Sequence, residues 1–290
     1  MKNLKLDHKL FKQLESQGPE WWRNILDDGK FYIDIRKDNY IDIYYNGGSI
    51  IRELRYVKGN FTGKVNYKYL LPEEGEYIEY DFSSGRASLA KREVSLMPLN
   101  AFNENTLKRI KANISAHYSA MSEKGTQARL VLNPGKFLDT EFAYRINNVS
   151  IRIDLTWLDF QNKKIQFVEL KTMLDNRLMN EKINKQLSDY HEFARTYNSE
   201  TVEYYNKIFE LKKRLNILPE KLNGVSSISD FKLETKPLLI VGNCSQKWID
   251  SKAPKVNSRI KDVAVGAYYF GKSISSCDIL SKNRKNRFIF

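Results

Sequence analysis

The sequence contains few of the residues on which stapled mini-proteins and zinc proteins depend. Its 290 residues include 2 cysteines, Cys244 and Cys277, and 3 histidines, with no spacing typical of a disulfide framework or a zinc site. With 14 glycines and 7 prolines it is neither collagen-like nor of low complexity. No apolar run reaches the roughly 20 residues of a membrane span. The first residues also lack the apolar core of a signal peptide. We therefore expect a folded cytoplasmic protein that does not enter a membrane.

Positive charge is what the chain has in excess. There are 48 Lys and Arg residues against 35 Asp and Glu, a formal net charge of +13. Residues 1–100 carry 16 basic and 15 acidic groups, whereas residues 101–290 carry 32 and 20. Such an excess is typical of proteins that bind polyanions, although a solvated basic surface gives the same count. The sequence therefore places anion binding, if any, in residues 101–290.

The length allows about two domains at roughly 150 residues each, and the pattern changes near residue 100. Turn-forming clusters divide residues 30–71 into short strands, which predict an antiparallel meander preceded by the core residues Trp21 and Trp22. The four predicted strands are Phe31–Arg36, Tyr40–Tyr45, Ser49–Val57 and Phe61–Leu70. Residues 72–100 are rich in loop signals and predict the boundary. We expect a small β domain over 1–100, which recognises substrate, a regulator or another copy of the chain, and a second domain over 101–290.

The second domain alternates between helical and strand patterns. Its predicted order is helix, three strands, helix, strand, with one further strand, which is an α/β arrangement around a mixed sheet. The predicted elements are a helix over Asn103–Met121, strands over Phe137–Ile146, Val149–Asp159 and Lys164–Thr172, a helix over 179–215 broken near Asn198, and strands over Pro237–Gly242 and Val263–Phe270. The run at Pro237 is continuously apolar, which is typical of a buried parallel strand.

Carboxylates line one face of the three central strands. Alternation places Asp154 on the polar face of the second strand, and Glu169 and Lys171 share one face of the third. If Gln161-Asn162 forms a two-residue turn, Asp154 lies opposite Glu169. By the same reasoning, a turn at residues 147–148 places Glu141 opposite Asp154. Like charges facing each other destabilise a sheet, so this row predicts a cation between the carboxylates.

The chemistry of that row favours a magnesium-dependent hydrolase. Hard oxygen ligands suit Mg²⁺, with Mn²⁺ as a substitute. An ion held by Asp154 and Glu169, with a second through Glu141, could activate water and stabilise charge on a scissile phosphate. Lys171 could position that water or neutralise the phosphate. The predicted reaction is phosphodiester hydrolysis, which agrees with the basic balance of the same segment.

These residues carry a family resemblance. Asp154, fourteen intervening residues and Glu169-Leu170-Lys171 resemble the D…(D/E)xK signature of the PD-(D/E)xK nuclease superfamily. The order of elements is also similar, and Gln186-Leu187-Ser188-Asp189-Tyr190 matches the QhxxY element of its RecB-type branch. The resemblance covers roughly residues 103–245 and leaves the N-terminal meander unmatched. Ile153 stands where the family name has proline.

The resemblance implies a restriction-endonuclease-like αβββαβ core and a metal-dependent deoxyribonuclease. Asp154 and Glu169 would be metal ligands, Lys171 the catalytic lysine, and Gln186 and Tyr190 would lie near the site or the DNA. Relatives take a further upstream acid from the first helix or the first strand. The register argument selects Glu141 for it, with Asp139 and Glu104 as substitutes.

Several basic residues could contact the nucleic acid without reading its sequence. The candidates are Arg177, Lys182 and Lys185, and the basic run over 282–287. A second hypothesis is a non-catalytic nucleic-acid-binding or assembly protein that keeps a nuclease-like fold. A nucleotide hydrolase is disfavoured, because Asn46-Gly47-Gly48-Ser49 lacks the lysine and helix of a P-loop. DNA or RNA, endonuclease or exonuclease, homo-oligomer or monomer, and restriction, phage defence, mobile element or repair all stay open at this stage.

Overall fold

The computed structural model of the protein describes residues 3–66, 69, 77–81, 86–89, 92–94, 104–132, 137–146, 149–271 and 287–290. The chain forms two compact units. The first comprises Met1–Ala120 and Glu210–Ile217, and the second comprises Met121–Phe209 and Leu218–Phe290. Sequence analysis set the boundary after residue 100. The structure adds residues 101–120 to the first unit, together with a segment from far along the chain.

The first unit is built on an antiparallel meander. Two helices, α1 (Lys9–Gln17) and α2 (Glu20–Asp28), precede it, and α3 (Glu104–His117) follows it. Its strands pair in chain order and are β1 (Phe31–Arg36), β2 (Tyr40–Tyr45), β3 (Gly48–Val57), β4 (Asn60–Asn66), β5 (Tyr77–Asp81), β6 (Arg86–Leu89) and β7 (Arg92–Val94). The first three predicted strands are confirmed, and the fourth is confirmed only in part, because it ends at Asn66 and Tyr69 is helical. Strands β5 to β7 lie in the stretch that the sequence indicated to be loop-rich.

Turn chemistry and burial explain this meander. The turns place Asn39 at φ 57°, Gly47 at 84° and Gly59 at 88°, left-handed conformations that asparagine and glycine tolerate best. Trp21 and Trp22 are both buried, which confirms their predicted place in the core.

The second unit is a mixed sheet with helices between its strands. The strands are β8 (Phe137–Ile146), β9 (Val149–Asp159), β10 (Lys164–Thr172), β11 (Lys232–Gly242), β12 (Gly266–Tyr269) and β13 (Arg287–Ile289). The helices are α4 (Glu123–Leu132), α5 (Glu181–Thr196), α6 (Asn198–Arg214) and α7 (Gln246–Ile260), with short 3-10 turns at Asn176–Met179 and Glu220–Leu222. In the sheet the strands lie in the order β13-β12-β11-β10-β9-β8. The fold is therefore α/β with a mixed six-stranded sheet.

Both predicted hairpin registers are confirmed. Strand β10 pairs with β9 from Lys164↔Asp159 to Val168↔Leu155, and β8 pairs with β9 in the register that sets Thr140 opposite Leu155. The first turn comprises the four residues 160–163 rather than the predicted two, but it has the same centre and therefore gives the same register. The turn predicted at 147–148 lies outside the described residues. Strands β10 and β11 are parallel, as the apolar run at Pro237 predicted.

Two helices of this unit were not predicted. Helix α4 buries Gly125, Thr126 and Gln127 together with apolar residues, so its sequence shows no apolar stripe. Helix α7 contains Pro254, a residue that normally ends a helix. The predicted break near Asn198 is confirmed, because α5 ends at Thr196 and α6 begins at Asn198.

Cys244 is buried, and Cys277 lies outside the described residues, as does most of the basic run over 282–287. Over the described ranges, no helix has the length and apolarity needed to cross a membrane.

Gly242 ends β11 where α4 approaches the sheet closely. A Cβ atom placed there would come within 2.7 Å of the Phe270 ring and 2.9 Å of the Thr126 methyl group. We expect Gly242→Ala to lower the free energy of unfolding by about 1–3 kcal/mol, because the added methyl overpacks this contact. Urea denaturation measures the change. Gly224→Ala is the matched control, since nothing lies within 4 Å of its Cβ position; equal effects of the two variants would contradict the prediction.

Candidate active site

The ammonium of Lys171 is the centre of a cluster of carboxylates. It contacts Glu169 Oε1 directly and lies 3.8 Å from Asp154 Oδ2 and 4.0 Å from Glu123 Oε2. We call these four residues the Lys171 cluster. Strand β9 supplies Asp154, β10 supplies Glu169 and Lys171, and the first turn of α4 supplies Glu123. The two-residue spacing on β10 places its two members on one face, as alternation predicts.

Burial within the cluster decreases in steps toward the solvent. The side chains of Glu169 and Lys171 are 0% and 2% exposed, that of Asp154 is 16% exposed and that of Glu123 is 39% exposed. Charged groups are almost never this deeply buried unless they are paired. Any molecule that approaches the cluster would therefore meet Glu123 and Asp154 before the inner pair.

Hydrogen bonds fix the orientation of the carboxylates of Asp154 and Glu169. The backbone N–H of Leu170 donates to Asp154 Oδ2 at 2.9 Å. The hydroxyl of Tyr190, on α5, lies 2.6 Å from Glu169 Oε2 and also contacts the backbone carbonyl of Arg152. Lys171 donates a further bond to the carbonyl of Leu170 at 3.0 Å. The carboxylates are thus held in place by the sheet and by one helix.

Burial or neighbouring charges raise the pKa values of three members of the cluster, Glu169, Glu123 and Lys171. Burial and the nearby charge of Asp154 raise the pKa of the Glu169 carboxyl to about 8. Burial also raises the pKa of the Glu123 carboxyl. Burial lowers the pKa of the Lys171 ammonium, but the charges of Glu169, Asp154 and Glu123 raise it overall. The cluster therefore has the properties of a site that favours an additional cation.

Glu141, the third member of the predicted carboxylate row, has different partners. Its register opposite Asp154 is as predicted, but its backbone is left-handed, with φ 53°. Its carboxylate forms ion pairs with Lys124 and Arg152. Gln127 Nε2 lies 3.2 Å from the same carboxylate and donates to the backbone carbonyl of Asp154 at 2.9 Å. Two cations therefore neutralise Glu141, and Glu123 is the third acid beside Lys171.

The other predicted site residues lie on α5 and in the 3-10 turn that precedes it. Gln186 is half-buried on α5, one helical turn before Tyr190. Burial raises the pKa of the Tyr190 hydroxyl well above its usual range, and Gln186 partly offsets that rise. Lys182 and Lys185 are exposed on the same helix. Arg177, in the 3-10 turn after β10, is paired with Asp175.

The two substitutes for the upstream acid lie on other elements. Asp139 is buried on β8, where its Oδ1 accepts a bond from the backbone N–H of Thr140 at 3.0 Å. Glu104 begins α3, which belongs to the first unit.

Sequence reasoning missed Glu123 and Gln127 because it missed α4. A carboxylate and an amide four residues apart, shortly before the first strand, were the available signal. On a helix this spacing places both side chains on one face.

The oxygen donors of this site fit a hard divalent cation. Among the residues that the structure describes, no group of three or more His, Cys, Asp or Glu side chains is arranged as a metal site. Mg²⁺ is commonly bound through only one or two carboxylates and several waters. Asp154 and Glu169 supply such a pair, and the carboxylates of both lie near the Lys171 ammonium.

Known proteins give no independent guide to this site. Comparison of the chain with protein-family models, curated proteins and solved structures gave no match.

Proposed function

We propose that the protein is a metal-dependent nuclease that hydrolyses phosphodiester bonds of DNA. The observation that carries this proposal is the convergence of Asp154, Glu169 and Lys171 from two paired strands. Tyr190, on the following helix, supports the same proposal, because its hydroxyl contacts Glu169. The resemblance to the PD-(D/E)xK superfamily and the net charge of +13 point to the same substrate.

The residues of the cluster suit hydrolysis of a phosphodiester. In this reaction the oxygen of a water bonds to phosphorus, one P–O ester bond breaks, and the leaving oxygen takes up a proton. Asp154 and Glu169 would hold Mg²⁺, or Mn²⁺ as a substitute, which when bound lowers the pKa of a water and polarises the phosphate. Lys171 would neutralise negative charge that develops on the phosphate. The Leu170 N–H and the Tyr190 hydroxyl keep the two carboxylates in position.

Deep burial of the inner pair favours a second candidate function. Glu169 and Lys171 are both almost fully enclosed, as expected of an ion pair whose role is structural. In that case the protein would bind nucleic acid, or assemble on it, without cleaving it. Activity measurements separate the two candidates.

We expect the purified protein to cleave DNA in Mg²⁺ or Mn²⁺ and to be inactive in EDTA. The substrates are linear, circular and single-stranded DNA, with RNA for comparison, and the readout is product formation on gels. Asp154→Asn should lower the rate about 100-fold, because the site loses one of the two carboxylates that would hold Mg²⁺ and, with it, stabilisation of the charge on the phosphate. Asp262→Asn, at an exposed position after α7, is the matched control and should retain the wild-type rate. Equal rates of the wild type and Asp154→Asn on every substrate would refute the catalytic role.

A further inference from the structure

A highly exposed leucine, Leu174, lies just after strand β10. Leu174 is 84% exposed, the largest exposure of any large apolar side chain in the described part of the chain. It follows Lys171 by three residues, in the turn between β10 and the 3-10 turn Asn176–Met179. Scattered exposed leucines are ordinary, so exposure alone does not indicate a ligand.

The backbone around Leu174 is held on both sides. The N–H of Met173 donates to the carbonyl of Gly242 at 3.0 Å, and the N–H of Asp175 donates to the carbonyl of Thr172 at 3.0 Å. The side chain of Met173 packs against the core formed by β11, α5 and α7. Leu174 is therefore presented by a fixed turn whose neighbours are anchored in the sheet and the core.

The 3-10 turn that follows Leu174 carries a cation, Arg177. The carboxylate of Asp175 holds Arg177 by two bonds to Nε, at 2.9 and 3.0 Å. Burial raises the pKa of the Glu123 carboxyl, and the charge of Arg177 acts in the opposite direction. One short segment thus carries an apolar side chain three residues after Lys171 and a guanidinium six residues after it.

We propose that Leu174 packs against a nucleobase next to the scissile phosphate. This inference rests on the proposed nuclease function and identifies how the site contacts its substrate. A nucleotide combines an anion, which Arg177 complements, with the apolar face of a base, which Leu174 complements. Leucine is among the side chains that proteins insert against or between bases. An acidic protein partner would use the cation but would not depend on bases.

The test measures how much binding depends on the bases. Fluorescence anisotropy in EDTA compares a labelled DNA oligonucleotide with one of equal length whose sugars all lack bases. We expect the wild type to bind intact DNA about fivefold more tightly than base-free DNA. Leu174→Ala should lose that preference while its affinity for base-free DNA stays unchanged.

Ile289→Ala is the matched control, because Ile289 is 65% exposed in the same unit. It pairs with Gly266 at the amino end of β12, whereas Leu174 follows the carboxyl end of β10. The control should keep the wild-type preference, and thermal unfolding should show all three proteins equally folded. The inference is overturned if Leu174→Ala keeps the preference for intact DNA, or if it weakens binding of both oligonucleotides equally. If the wild type cleaves DNA although the Leu174 result is negative, the inference fails alone. If the wild type neither binds nor cleaves DNA, the inference fails together with the proposed function.

Discussion

We expect replacement of Lys171 with methionine to lower the rate of the proposed DNA hydrolysis by about 10²–10³-fold, the largest effect on activity of any single change. Its ammonium is the group on which the carboxylates of Asp154, Glu169 and Glu123 converge. Methionine keeps the length and volume of the side chain but removes the charge. The measurement is the initial rate of DNA cleavage at saturating Mg²⁺.

Stability must be measured beside activity, because Lys171 belongs to a buried ion pair. Removing one partner of such a pair costs about 3–5 kcal/mol. The double variant Glu169→Gln/Lys171→Met removes both charges and should recover much of that loss while staying inactive. Circular dichroism and urea denaturation then separate a folded, inactive protein from an unfolded one.

Lys164 provides a matched control on the same strand. It pairs with Glu234 near the surface, where ion pairs contribute about 0–1 kcal/mol. Lys164→Met should therefore retain both stability and activity. Wild-type rates in a folded Lys171→Met variant would exclude the proposed catalytic role and leave the nucleic-acid-binding candidate.

The sequence predicted the strands and their registers because both depend on local patterns. Alternating polarity placed Asp154 and Glu169 on their strands, and turn length set which residues face each other. The bounds of β8, β9 and β10 agree with the predicted ones. Both signals lie within a few residues of the elements that they define.

Contacts between distant segments were beyond the same reasoning. Facing position placed Glu141 in one row with Asp154, but it gave no indication that Lys124 and Arg152 form ion pairs with the Glu141 carboxylate. Lys124 belongs to α4, a helix that buries polar and apolar residues alike and therefore shows no apolar stripe in the sequence. Register fixes which residues are neighbours, while side-chain partners depend on every element that packs nearby.

The first unit contains a second group of buried charges that the sequence also did not reveal. Asp34 and Lys212 form an ion pair at 3.0 Å, with side chains 2% and 4% exposed. Arg36 lies 3.4 Å from Asp34 and 2.9 Å from Asp42. Tyr44 adds a hydroxyl that accepts a bond from Arg36 at 3.0 Å. Residues 34 and 212 are distant in sequence, so no local pattern could pair them.

This network predicts the largest loss of stability outside the Lys171 cluster. Lys212→Met should lower the free energy of unfolding by about 3–5 kcal/mol, because Asp34 then keeps its buried charge with one cation fewer. Asp34→Asn/Lys212→Met removes both charges and should recover most of the loss. Urea denaturation gives the free energy, and hydrogen exchange of β1 reports on the first unit alone.

Lys207 is the matched control on the same helix. It pairs with Glu203 one turn away at 2.7 Å, in a surface pair of the kind that contributes only a few tenths of a kcal/mol. Lys207→Met should therefore unfold like the wild type. If Lys212→Met shifts the unfolding free energy no more than Lys207→Met does, the pair contributes little. Residues 210–217 would then be held in the first unit by apolar contacts. Leu211 and Leu215 can make such contacts, because both are buried.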